Sequence, residues 1–185
     1  MPSGLKWATC YVGANSPEDY GDYYAWGETS TKSNYTEENC TTDGKAMSDI
    51  GGNAQYDVAR ANWGSSWRLP TEAEFDELCN EDNCTWLWTT QGGKNGYKVI
   101  SKRNGNSIFL PAAVRRYGTS PDSAGSSGYY WSSTPDESDV RLAFGLYFES
   151  KTRGSTRYGR YYGRSVRPVS MASLSAESFS EWLLP

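Results

Sequence analysis

The sequence contains no histidine. Without an imidazole there is no Ser-His-Asp or Cys-His arrangement and no histidine base, which removes the commonest routes to hydrolysis and acid–base catalysis. Cysteine is sparse too. Cys10, Cys40, Cys79 and Cys84 form no C-x-x-C pair, and with no histidine to complete a ligand set a structural zinc site is not expected. The same four residues fit two disulfides, with three pairings open, or four small buried hydrophobes equally well. No apolar run approaches the length of a membrane span, so membrane insertion is not expected. Met1-Pro2-Ser3 leads straight into strand-like sequence with no signal-peptide pattern, which reads as a piece of a longer exported or assembled protein.

What is present is aromatic. Phe, Trp and Tyr make up 15% of the 185 residues while aliphatic residues are few, so the expected core is built from rings with many loops around it. The abundance of glycine, 19 residues, points the same way. The length suits one globular domain able to bury a sizeable core. A domain over residues 1–169 is expected, followed by a tail at 170–185 whose Leu174, Phe179, Trp182 and Leu183 suit a short amphipathic helix. Such a helix would dock on this domain or on another subunit, which leaves oligomerisation open.

Periodicity gives a coarse order of elements. Leu5–Val12 reads as a first strand and Tyr23–Trp26 as a second, ended by Gly27. Residues 28–52 carry no periodicity and read as a long surface loop. Tyr56, Ala59 and Trp63 share one face of a short helix over Tyr56–Trp63. Thr71 and Glu74 form the capping box of a second, which buries Phe75, Leu78 and Cys79. Trp86–Thr90 reads as a strand. Tyr97–Ser101 and Ser107–Leu110 read as a hairpin with Asn104-Gly105 in a type I′ turn. Further strands are expected over 128–133, 141–149 and 160–169. The fold class is therefore α+β, with two short helices packed on mainly antiparallel strands.

The stretch from Tyr129 to Val169 has a composition of its own. It carries seven Lys or Arg against four acids in a chain of net charge −4, and its tyrosines and arginines alternate with Gly and Ser. Tyr and Arg supply contact area, cation–π stacking and forked hydrogen bonds, and Gly and Ser supply adaptability, so the stretch reads as a contact surface. Within it Trp131, Phe144, Phe148, Val166 and Val169 read as scaffold. In Leu142–Glu149, alternation places Leu142, Phe144, Leu146 and Phe148 inside, and Ala143, Gly145, Tyr147 and Glu149 outside. The run Arg157–Arg164 interleaves aromatic, Arg and Gly residues too closely to bury on one face of a strand, and so reads as exposed contact. A nucleic-acid partner is not expected, because the chain is acidic overall and shows no fingerprint of such a fold.

Several blocks together carry a family resemblance: GLKWATCYVGA at 4–14, YYAWGE at 23–28, YDVARANWG at 56–64, WRLPTEAEFDEL at 67–78, IFLPAA at 108–113, GYYWSST at 128–134 and SVRPV at 165–169. They resemble the major paralogous domain of Fibrobacter and Bacteroidetes surface proteins, a C-type lectin fold close to the formylglycine-generating-enzyme branch. That fold includes the variable proteins of diversity-generating retroelements, in which adenine-directed copying rewrites codons of a C-terminal cassette. The resemblance implies a rigid scaffold with a hypervariable surface that binds an unknown protein or glycan ligand, on a cell surface or a phage particle. The candidate ligand-binding, variable positions are Ser138, Asp139, Arg141, Gly145, Tyr147, Ser150, Arg153, Gly154, Ser155, Thr156, Arg157, Tyr158, Gly159, Tyr161 and Tyr162.

Three other functions compete. An enzyme of the formylglycine-generating kind relies on C-terminal cysteines, and no cysteine follows Cys84 here, so no catalytic residue and no cofactor is assigned. Calcium-dependent glycan binding in the manner of animal lectins would use the triplets Glu-Pro-Asn, Gln-Pro-Asp or Trp-Asn-Asp. None of these occurs, and the acidic run 135–139 reads as a surface loop. A structural or adhesin module of a bacterial surface protein would use the same aromatics to pack against a neighbouring domain.

Overall fold

The computed structural model describes residues 1–121 and 125–171, and the tail helix read at 170–185 falls almost entirely outside them. The elements in chain order are β1 (Lys6–Trp7), a 3-10 turn (Glu37–Asn39), α1 (Val58–Trp63), α2 (Glu72–Cys79), β2 (Cys84–Gln91), β3 (Lys94–Ser101), β4 (Ser107–Pro111), β5 (Arg116–Tyr117), β6 (Ser120–Pro121), β7 (Ser127–Pro135), β8 (Leu142–Glu149), β9 (Thr152–Gly159) and β10 (Val169–Ser170). Every ladder is antiparallel. Two three-stranded sheets, β2-β3-β4 and β7-β8-β9, carry the architecture, with small pairs β5-β6 and β1-β10 beside them. The fold is thus α+β with few helices and mostly antiparallel strands in open sheets.

The helices start where side chains can satisfy their first amides. Asp57 caps α1, accepting from the amides of Ala59 and Arg60 on one oxygen and from Gly52 and Leu69 on the other. That cap moves the start of the helix from Tyr56 to Val58. In α2 the Thr71 hydroxyl accepts from the Glu74 amide at 3.2 Å, and the Glu74 carboxylate accepts from the Thr71 amide at 2.8 Å. Glu74 also pairs with Arg68. Phe75 and Leu78 are buried as their spacing requires, while Cys79 is only half-buried. Among the described residues all four cysteines carry free thiols.

Several local expectations are corrected. Only Lys6–Trp7 of the first expected strand joins a ladder, and Tyr23–Trp26 is a single bridge from Tyr24 to Arg164. The loop over 28–52 is not purely superficial. Tyr35, Cys40, Thr42 and Ile50 are buried in it, held by bonds from the Tyr35 hydroxyl to the Tyr23 carbonyl and from the Ile50 amide to the Ser133 carbonyl. Asn104-Gly105 is not a type I′ pair, because among the described residues only glycines have positive φ. The turn there is a wider loop in which the Gly105 amide donates to the Ser101 carbonyl. The tight hairpin turn lies instead between β2 and β3, at Gly92 (φ 55°) and Gly93 (φ 78°), where both central residues take the left-handed conformation that a type I′ turn demands.

The largest correction concerns 160–169. No strand covers it beyond Val169; β9 precedes it, at Thr152–Gly159. The segment is an extended thread bonded to many separate parts of the chain. Arg160 bonds through its backbone to Trp26 and Arg141, Gly163 to Arg116, Arg164 to Tyr24, Ser165 to Trp131, Val166 to Val12, and Val169 to Arg68. It runs through the core. Arg160, Arg164 and Arg167 are all 0% exposed, so the reading of Arg157–Arg164 as an exposed run fails for the arginines at 160 and 164.

The thread also explains why alternation in β8 fails at one end. Leu146 and Phe148 are buried against Leu78, Tyr97 and Tyr130, as expected. Ala143 and Gly145, expected outside, are buried too, and Leu142 and Phe144, expected inside, are half-buried. The sheet there is covered on both faces: α2 and the cluster around Leu78, Tyr97 and Phe148 lie on one, the thread and Trp131 on the other.

Replacing Thr71 with Ala should lower unfolding free energy by about 1 kcal/mol through loss of the cap, and Thr71→Ser should leave it nearly unchanged. Urea denaturation of the two variants checks this.

Candidate ligand-binding face

The pairing of β7, β8 and β9 fixes which side chains share a surface. Tyr129 faces Tyr147 and Tyr147 faces Gly154; Trp131 faces Gly145, which faces Thr156; Ala143 faces Tyr158. These residues lie on one side of the sheet, and Arg153, Ser155 and Arg157 lie on the other by the pleat. To the first side the turn after β9 adds Tyr161 and Tyr162. The β5-β6 hairpin adds Tyr117, held close by the paired backbones of Arg116 and Gly163 at 2.7 and 3.0 Å.

The six tyrosines touch in two groups. Tyr129 lies 5.1 Å from Tyr147 and 6.0 Å from Tyr158 between ring centroids. Tyr117 lies 5.9 Å from Tyr161 and 5.8 Å from Tyr162, which are 4.4 Å from each other. Arginine joins the groups: the Arg115 guanidinium stands 5.2 Å from the Tyr129 ring and 4.6 Å from that of Tyr162. Tyr117 is exposed and the other five are half-buried. Burial and a hydrogen bond from its hydroxyl to Glu149 push the Tyr147 phenol up to about 12, and burial raises Tyr158 and Tyr161 as well. At neutral pH these three are protonated donors.

Beneath the face sit the buried arginines. Arg160 stacks 4.4 Å from Trp26 and donates to the carbonyls of Leu142, Thr42 and Lys45. Arg167 stacks 3.8 Å from Tyr11 and donates to the carbonyls of Ala8 and Phe109. Arg164 is different. Its guanidinium lies 3.6 Å from Tyr158, 4.4 Å from Trp131 and 5.2 Å from Tyr129, yet none of its three nitrogens has a hydrogen-bond partner among the described residues. Burial, with Arg115 nearby, pulls its ordinarily very high pKa down to about 9.

The fifteen sequence candidates divide by place. Tyr147, Gly154, Thr156, Tyr158, Tyr161 and Tyr162 come together on the tyrosine face. Gly159 packs beside it, where a Cβ would meet the Tyr161 ring. Arg153, Ser155 and Arg157 belong to the opposite side and are tied to the scaffold. Arg153 stacks on Trp86 and pairs with Glu81, Ser155 donates to Asp76, and Arg157 pairs with Asp136. Ser138, Asp139 and Arg141 lie in the loop before β8, where the Ser138 hydroxyl donates to Asp136 and Arg141 holds the Asp139 carboxyl down at about 2. Ser150 is exposed at the β8-β9 turn. Gly145 is buried, and a Cβ there would lie 2.2 Å from the Tyr130 carbonyl oxygen, so it belongs to the scaffold and not to the face.

Arg115, Tyr117 and Tyr129 were missing from the sequence candidates. The signal for the first two was Arg115-Arg116-Tyr117-Gly118, which repeats the Arg/Tyr/Gly composition of 157–164. Among the described residues no cluster of three or more Cys, Asp or Glu could hold a metal ion, and no helix is long and apolar enough to cross a membrane. Protein-family models, curated proteins and solved structures were compared with the chain, and none matches it.

Gly145 and Gly154 make opposite predictions. A Cβ at Gly154 would meet nothing within 4 Å, so Gly154→Ala should leave stability within about 0.5 kcal/mol of the parent. Gly145→Ala should cost about 3 kcal/mol or prevent folding, because backbone would have to move. Thermal and chemical denaturation of the pair distinguishes them.

Proposed function

We propose that the chain is a non-enzymatic ligand-binding protein of the C-type lectin fold, whose tyrosine face contacts a protein or glycan and is diversified by a retroelement. The observation that carries the reading is the convergence of six tyrosines from three separate parts of the chain on one partly exposed surface. Tyrosine offers a large, stiff contact area with a polar tip, and side chains of this kind dominate binding surfaces. The resemblance of GYYWSST and SVRPV to the flanks of a variable cassette supports the same reading, as does the placement of Tyr147, Gly154, Thr156, Tyr161 and Tyr162 where each keeps part of its surface in solvent. A receptor-binding role on a cell surface or phage particle follows from that resemblance.

Sequencing the locus in related isolates tests the proposal. Substitutions should concentrate at the codons for 147, 154, 156, 161 and 162, while 145, 160 and 167 stay fixed. Differences spread evenly along the gene would refute diversification.

A further inference from the structure

The unpartnered guanidinium beneath the tyrosine face has a chemical consequence. A buried cation without a counter-charge or acceptor is costly. Arg160 and Arg167 meet that cost with carbonyls as well as rings; Arg164 has rings alone. Cation–π contacts stabilise the charge, but they leave the N–H donors unused. Arg115 adds a second positive charge close by, since both guanidinium groups stand over the Tyr129 and Tyr162 rings. Three features then define what would complete the site. The Tyr158 and Trp131 rings lie 3.6 and 4.4 Å from the guanidinium carbon, so rings take up its flat faces and its N–H edge is what is left for a ligand. Gly145 has no side chain, and a Cβ there would stand 3.3 Å from Nη1, so that edge of the fork faces backbone only. Tyr158 and Tyr162, whose rings lie 3.6 and 6.0 Å from that guanidinium, are themselves only half-buried, so the rings over Arg164 reach solvent.

We propose that Arg164 is a carboxylate-binding residue, covered by Tyr158 and Tyr162 until a ligand carboxylate enters between the rings and takes the fork, with Arg115 closing on its outer side. A planar carboxylate meets the guanidinium edge bidentately and in its own plane, the direction that rings over the flat faces leave to a ligand, whereas a tetrahedral anion such as sulfate carries oxygens out of that plane towards the rings. The inference rests on the tyrosine face being a contact surface, and it adds the class of ligand: a partner that presents an Asp or Glu side chain or another carboxylate.

The experiment follows the Arg Nε–Hε resonances of the 15N-labelled protein during titration with acetate, sulfate and chloride at matched ionic strength, with Arg164→Lys to assign the signal. Acetate should shift the Arg164 resonance saturably, and sulfate and chloride should not. Arg115→Gln, which changes a half-buried side chain, should weaken the acetate response roughly tenfold, the scale of one charge-assisted bond. An unmoved Arg164 resonance, or an equal response to sulfate, would overturn the carboxylate assignment. If acetate fails while codon differences cluster on the face, only this inference falls. If acetate binds while the codons vary evenly, the diversified contact reading falls instead.

Discussion

Three arginines in the middle of the protein, each set over an aromatic ring, hold the chain together. Arg160 on Trp26, Arg164 on Tyr158 and Trp131, and Arg167 on Tyr11 are spaced four and three residues apart along one extended thread. Arginine suits this position better than lysine because its planar, weakly hydrated fork can stack and donate sideways at once. The carbonyls that Arg160 and Arg167 use lie in irregular backbone at Ala8, Thr42 and Lys45, and in strands at Phe109 of β4 and Leu142 at the start of β8. The guanidinium groups thus do for irregular backbone what strands do for each other. A loop-rich chain with few aliphatic residues gains a core from cations and rings.

The tyrosine face depends on that arrangement. Because the thread occupies one side of the β7-β8-β9 sheet, Trp131, Ala143 and Gly145 are pinned there, and what remains outward is a rim of tyrosines with Gly154 and Thr156 between them. The same residues that fix the thread also keep the rim in place. Arg164 contacts Tyr129, Tyr158 and Tyr162 from below, and Arg116 bonds to Gly163 so that Tyr117 meets Tyr161. Side chains on the rim can therefore differ in identity while the surface beneath them stays constant.

Much of this was legible in the sequence where local physics decides. The capping box at Thr71 and Glu74, the apolar spacing of Phe75 and Leu78, and the burial of Trp131, Phe148, Val166 and Val169 follow from residue type and period. The strand Thr152–Gly159 was not legible, because TRGSTRYG lacks the β-branched and apolar pattern and owes its place to pairing with β8. Nor were the buried arginines. Arg160 and Arg164 carry charge and sit among Tyr and Gly, which reads as surface until the rings that receive them, Trp26 and Trp131, are brought near from more than thirty residues away. The site was visible in composition and blurred in position: Tyr158, Tyr161 and Tyr162 belong to it, while Arg153, Ser155 and Arg157 alternate to the opposite side.

The central claim is that the arginines of the thread are core and those around it are surface. Arginine-selective modification of the native protein with a dicarbonyl reagent, mapped residue by residue by mass spectrometry, tests it most directly. Arg141 and Arg157, whose side chains are 68% and 54% exposed, should react early, and Arg160, Arg164 and Arg167 should react only once the protein unfolds. Modification of the three thread arginines at the rate of Arg141 would contradict the account.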